Sequence, residues 1–166
     1  MNIRIAGTVN DSIVDGNGLR YTVFVQGCPH HCKGCHNPQT HSFDGGKEVS
    51  ISDLFDAITS NTLLDGVTFS GGEPFAQAKP LIELADLIKQ STNLNIVTYT
   101  GYTFEEIVTS SNPDWIALLN RTDILIDGEF IEDLKSYELR FRGSSNQRCI
   151  DVKQSLLQHK VVLADT

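Results

Sequence analysis

The sequence predicts an α/β fold, and more narrowly an open, partial (β/α) barrel of about five parallel strands. Three observations predict it. Short apolar runs rich in strand formers alternate with segments of helical periodicity, which implies right-handed parallel crossovers. The residues suited to chemistry fall at the carboxyl ends of successive strands, as they do in barrel sites. A chain of 166 residues also has room for only about five such strands, too few to close a barrel of eight. The same alternation permits a flat doubly wound sheet, so the pattern by itself leaves both architectures open.

The elements follow in order. Asn2 to Thr8 carries Ile3 and Ile5 in alternation, the signal of an edge strand, and a polar stretch from Asn10 follows it. Asp15, Gly16 and Gly18 are turn residues leading to Arg20 and the strand formers Tyr21 to Val25. Gly45 and Gly46 interrupt the chain before Ser50, a cap candidate ahead of Leu54, Phe55 and Ile58 at helical spacing. Asp65-Gly66 turns into a short strand, Val67 to Phe69, which ends at Gly71-Gly72-Glu73-Pro74. Pro80 suits the first turn of an amphipathic helix with Leu81, Leu84, Ala85, Leu87 and Ile88 on its core face. Asn95 to Tyr99 is the next strand, and Thr103 with Glu106 forms a capping box for another helix. Asn112-Pro113 opens a further helix, after which Asp123 to Ile126 is a continuous apolar run ending at Asp127. Leu134 to Phe141 has no clear period, Arg142 to Gln147 is a loop, and Ile150 to His159 holds a last short strand and helix.

One stretch carries most of the chemistry. Cys28, Cys32 and Cys35 occupy eight residues in a Cys-x3-Cys-x2-Cys spacing, and Pro29, Gly34 and Pro38 keep the segment out of regular structure. Thiols this close, on a loop that ends a strand, can converge on one metal centre. On a four-iron cluster, three ligands leave one iron open to a small chelating molecule. A structural zinc ion is the alternative, with His30, His31, His36, His41 or Cys149 as fourth ligand, and the cysteines alone do not separate the two. A disulfide is disfavoured because no signal peptide opens the chain.

Cys28-x3-Cys32-x2-Cys35-His36-Asn37 resembles the cluster loop of the radical S-adenosylmethionine enzymes, and in particular that of the glycyl-radical-enzyme activases. Asp15-Gly-Asn-Gly18-Leu-Arg20, Ser70-Gly-Gly-Glu73-Pro74, Asp127-Gly-Glu-Phe and Arg142-Gly-Ser-Ser-Asn-Gln147 resemble, in the same order, the anaerobic ribonucleoside-triphosphate reductase activating proteins. Asn17 stands where that family's turn has proline. The resemblance implies a single radical S-adenosylmethionine domain over residues 1–166, and it favours the partial barrel over the flat sheet. It implies a [4Fe-4S] cluster on Cys28, Cys32 and Cys35. It also implies S-adenosyl-L-methionine bound near Gly34, Cys35, His36, Gly71, Gly72, Glu73 and Asp127, with Glu73 offering a carboxylate to the methionyl ammonium.

The reaction implied is reductive cleavage of that cofactor to a 5′-deoxyadenosyl radical, which removes hydrogen from a glycine α-carbon of the anaerobic ribonucleotide reductase. An unidentified reducing protein such as flavodoxin would supply the electron. Activation of pyruvate formate-lyase or another glycyl radical enzyme is the rival enzymatic reading, and a non-catalytic zinc-binding interaction module the rival from another class. Arg140 to Arg148 gathers donors in an otherwise acidic chain and is the candidate rim for the protein substrate, while Cys149 is expected to be a buried thiol rather than a ligand. A net charge of −8 argues against a nucleic-acid surface. No apolar run approaches the roughly 20 residues that cross a bilayer, and thiols that hold iron must stay reduced, so the expected compartment is the cytoplasm.

Overall fold

The structure is a computed structural model and describes residues 1–165. A seven-stranded sheet runs in the order β3-β1-β2-β4-β5-β6-β7. Its strands are β1 (Asn2–Ser12), β2 (Arg20–Val25), β3 (Lys47–Ser50), β4 (Gly66–Gly71), β5 (Asn95–Tyr99), β6 (Ile124–Asp127) and β7 (Arg148–Asp151). The helices are α1 (Ile51–Ser60), α2 (Ala78–Ser91), α3 (Phe104–Thr109), α4 (Pro113–Arg121) and α5 (Val152–Gln158).

The expectation of about five parallel strands is corrected. β2, β4, β5 and β6 are parallel to one another, but β1 is antiparallel to both β2 and β3, and β7 is antiparallel to β6. A parallel return needs a crossover of about a dozen residues or more, usually a helix. Residues 13–19 between β1 and β2 are too few for one. Residues 128–147 between β6 and β7 are long enough, but they hold only a three-residue 3-10 turn, Glu132–Leu134, and no crossover helix. The sheet does not close, because β3 and β7 end the strand order without pairing with each other; outside β7 the chain adds an isolated antiparallel bridge, Ile150–Leu163.

Its winding is nonetheless informative. The parallel strands lie side by side in chain order, so successive right-handed crossovers advance in one direction and place their helices on the same face. A doubly wound sheet reverses direction and carries helices on both faces. Here one core holds Val23, Val25, Val67, Phe69, Ile96, Leu125 and Ile150 from the strands, together with Leu54, Ile58, Leu81, Ile88, Ile107, Leu118 and Val152 from all five helices. The flat, doubly wound alternative therefore does not hold.

Local chemistry sets the helix starts where the sequence marks them. The Ser50 hydroxyl accepts from Asp53 N at 3.0 Å, and Thr103 and Glu106 form the reciprocal capping box. The Asn112 side chain accepts from Asp114 N and Trp115 N. Each satisfies backbone donors that the first helical turn leaves unpaired, an effect of about 1 kcal/mol per cap. Among the described residues no helix is long and apolar enough to cross a membrane.

Candidate functional site

With the helices on one face, the other face of the parallel strands carries polar residues such as Thr22, Thr68 and Ser70 beside a small apolar cluster of Val97, Ile126 and Cys149, and the strands' carboxyl ends point four loops toward one another. These loops start at Gln26, Gly72, Thr100 and Gly128. Together with the Asn10–Asp15 segment and residues 139–147 they surround a cavity of about 890 Å³, within the range of small-molecule sites. Cys28, Cys32 and Cys35 all line it, as do His36, Ser70, Gly71 and Gly72.

Backbone bonds dock the base of the cysteine loop. Gly27 N donates to Thr40 O at 2.7 Å and Cys28 N to His41 O at 3.1 Å. Glu73 N donates to Gly27 O at 2.8 Å and Gly72 N to Val25 O at 2.9 Å, which ties the Gly-Gly-Glu segment to the same base. Both glycines are required by space. Gly71 has φ +98°, and a Cβ at Gly72 would collide with the Gly27 carbonyl.

All four cysteines are free thiols. Burial pushes the Cys28 thiol up, against opposing backbone hydrogen bonds from the His30 and His31 segment. Burial likewise raises Cys32, with the negative charge of Glu129 adding to it. A metal displaces these protons on binding, and so favours the thiolate that the apo loop disfavours. Three cysteines on one loop, opening on one cavity and free of disulfides, fit the donor set of a four-iron cluster. The thiols share the cavity without meeting at a point, since among the described residues no three such side chains stand close enough to hold a metal ion as placed. Cys149 lies apart, 7% exposed and packed with Val97 and Ile126.

The remaining expected residues divide. His36 is exposed at the cavity edge, with its ring 5.1 Å from that of Phe130. Gly34 is not on the cavity wall; its φ of +75° serves the turn between Cys32 and Cys35. Glu73 is 0% exposed and its carboxylate already faces protein donors. It accepts from Phe75 N at 3.0 Å, Gly101 N at 2.8 Å and the Thr100 hydroxyl at 2.9 Å, and meets His30 Nε2 at 2.6 Å. Asp127 is 1% exposed; it accepts from Phe104 N at 2.8 Å, at the start of α3, and pairs with Arg148. These two carboxylates hold the site together from behind its wall. Two other acids, Asp15 and Glu129, do stand on the cavity wall, although Asp15 accepts from the Ser12 and Thr22 hydroxyls and Glu129 meets His30.

Arg20 is 0% exposed, and burial brings its pKa down to about 10. It donates to Thr68 Oγ1, Asn17 O and Val67 O, so it pins the Gly16–Gly18 turn to β4. The Arg142–Gln147 loop is also braced. The Gln147 amide accepts from Gly143 N and Ser144 N and donates to Gly128 O, while Arg142 Nη1 donates to Gln147 O at 2.6 Å. Arg140 stays exposed at the mouth.

The sequence presents His30 as a loop residue or a candidate zinc ligand, gives Glu129 no role of its own within Asp127-Gly-Glu-Phe, and does not single out Thr100, Gly101 or Tyr102. His30 meets Glu73 on one ring nitrogen and Glu129 Oε2 on the other, at 3.1 Å. Burial alone would lower its pKa, but the hydrogen bonds and charges of Glu73 and Glu129 outweigh it and shift it upward. The usable signal was position: Thr100 to Tyr102 and Glu129 directly follow strand ends.

Comparison with known proteins agrees with this geometry. The 4Fe-4S single cluster domain family matches residues 14–150. The anaerobic ribonucleoside-triphosphate reductase-activating protein of Vibrio cholerae is 35% identical over 142 residues, covering 81% of this chain and 89% of that one. Its Escherichia coli namesake is 33% identical over 145 residues, covering 81% and 90%. The pyruvate formate-lyase-activating enzyme of Listeria monocytogenes is 38% identical over 148 residues, which is 83% of this chain and 57% of that one. With the cysteine loop, the glycine pair and the strand-end loops all inside the matched span, the chain belongs to the 4Fe-4S single cluster domain family and to the anaerobic ribonucleoside-triphosphate reductase-activating proteins.

Proposed function

We propose that this protein activates an anaerobic ribonucleoside-triphosphate reductase by placing a glycyl radical on it, using a [4Fe-4S] cluster held by Cys28, Cys32 and Cys35 and S-adenosylmethionine bound in the adjoining cavity. The observation that carries this is that the three thiols of the Cys-x3-Cys-x2-Cys loop open together on one cavity of about 890 Å³ at the strand ends. A reduced cluster held by these thiols would supply the electron for reductive cleavage of S-adenosylmethionine to methionine and a 5′-deoxyadenosyl radical, and that radical would take the hydrogen atom from the partner's glycine.

The chain's own residues bind, orient and exclude water. Gly71 and Gly72 bring bare backbone to the wall where a methionyl group can approach closely. A zwitterionic amino acid needs both signs of charge, and the wall offers Asp15 and Glu129 together with Arg140 and Arg142. His36 and Phe130 shelter the lip beside Cys35, and Glu73 fixes the glycine pair against the cysteine loop. We read the singly wound sheet as a partial (β/α) barrel in a single domain, its open side facing the partner. The reducing conditions that iron-bound thiols need support a cytoplasmic location, with a reducing protein such as flavodoxin as the electron donor.

Activation of pyruvate formate-lyase is the second reading, favoured by the similarity to its activating enzyme. It is the weaker one, because that relative matches over only 57% of its length. Anaerobically reconstituted and reduced protein is expected to convert S-adenosylmethionine to methionine and 5′-deoxyadenosine, quantified by chromatography. Intact cofactor after complete reduction of the cluster would overturn the proposal.

A further inference from the structure

His30 lies in the three-residue gap between Cys28 and Cys32. Its side chain is only 10% exposed, although Pro29 and His31 on either side are exposed. The ring reaches three strand ends at once. Nε2 meets Glu73 Oε1 at 2.6 Å, beyond β4. Nδ1 meets Glu129 Oε2 at 3.1 Å, beyond β6. Beyond β5, the Tyr102 ring stands edge-on at 4.6 Å, and the seat is closed by Gly101, where any Cβ would collide with the imidazole. Gly101 N donates to the same Glu73 oxygen that His30 contacts.

Little else ties down the middle of the loop. Its backbone bond within residues 29–35 is local, Cys35 N to Cys32 O at 3.2 Å. The remaining ties are weak: the pair Lys33–Glu132 at 3.8 Å, with the lysine 92% exposed, the Cys32 thiol 4.0 Å from Glu129 Oε2, and an edge-on contact between the His31 and His41 rings. The firm backbone anchors at Gly27 and Cys28 lie before the span that carries Cys32 and Cys35.

We propose that His30 is a positioning residue, a clamp that sets the Cys28–Cys32 span against the ends of β4, β5 and β6 and so prepares the thiols for the cluster. This rests on the reading of the three cysteines as cluster ligands. The clamp couples the cysteine loop to the Gly-Gly-Glu segment through one imidazole, so the cluster wall and the cofactor wall keep a fixed relation. Loss of the clamp leaves all three ligands in place but lets their loop wander.

Hydrogen–deuterium exchange of the full chain, apo and reconstituted, tests this. In apo His30→Ala, the hydrogen-bonded amides of Cys35, Gly101 and Tyr102 are expected to exchange about ten- to a hundredfold faster, the consequence of losing a charged hydrogen bond, while the β2 and β5 core is unchanged. His30→Gln keeps a donor toward Glu73 and loses Glu129. It should match Glu129→Gln, a milder variant because that side chain is 52% exposed, and combining the two should add nothing further. The reconstituted His30→Ala protein should still bind iron but release it to a chelator about tenfold faster. Unchanged exchange at Cys35, Gly101 and Tyr102, or acceleration spread evenly through the sheet, would overturn the clamp. Iron content of the wild type reports separately on the ligand reading.

Discussion

Replacement of any one of Cys28, Cys32 or Cys35 by alanine is expected to abolish the cluster, whereas Cys149→Ala is expected to keep it. Wild-type protein reconstituted under anaerobic conditions should hold about four irons per chain, and each single variant almost none. Three thiolates are the minimum set here, so losing one removes a whole face of the ligation. Cys149 is buried with Val97 and Ile126 and lies off the cavity wall. Its removal trims a core contact, at a cost on the order of 1 kcal/mol. Iron and sulfide analysis with visible absorption gives the answer. Iron retained in a Cys32→Ala protein, or lost in Cys149→Ala, would mean the ligand set is misassigned, and stoichiometric zinc without iron would favour an interaction module.

Glu73→Ala should cost far more in stability than an exposed carboxylate could. The side chain is 0% exposed, and its removal strands the Phe75 and Gly101 amides, the Thr100 hydroxyl and His30 Nε2 without their acceptor. Each buried donor left unpaired costs about 1 to 3 kcal/mol. Because the donors share one carboxylate and can relax, a total of about 3 to 5 kcal/mol is expected, a large part of a domain's margin. Urea unfolding of the apo protein measures it. Glu73→Gln should fall between, since the amide keeps one acceptor and turns a donor toward groups that are themselves donors. A loss below about 1 kcal/mol accompanied by weaker cofactor binding would mean that Glu73 acts on the ligand directly.

The parts of this site that were legible in the sequence are those whose chemistry resides in short spacing. Cys28, Cys32 and Cys35 announce shared ligation within one loop, and Ser50, Thr103 with Glu106, and Asn112 announce helix starts through side chains that cap their own turn. Strand direction was not legible, because β7 shows the same apolar residues whether it runs with or against β6. β3 was missed because Lys47–Ser50 is a four-residue edge strand with no fully buried position, and burial is what makes alternation visible. Glu73 and Asp127 were read as facing the cofactor because a carboxylate after a strand suits that role. Their protein partners, His30 and Arg148, are 43 and 21 residues away and no local pattern points to them. The bracing of the 142–147 loop against Gly128 was hidden for the same reason.

Electron paramagnetic resonance of the reductase after anaerobic mixing with this protein, S-adenosylmethionine and a reductant tests the central claim most directly. A protein-based radical with the hyperfine splitting of a single α-hydrogen should appear on the reductase. It should be absent when Cys32→Ala replaces the wild type. Pyruvate formate-lyase in place of the reductase should give little or no signal. No radical on the reductase despite cofactor cleavage in the same tube would contradict the account.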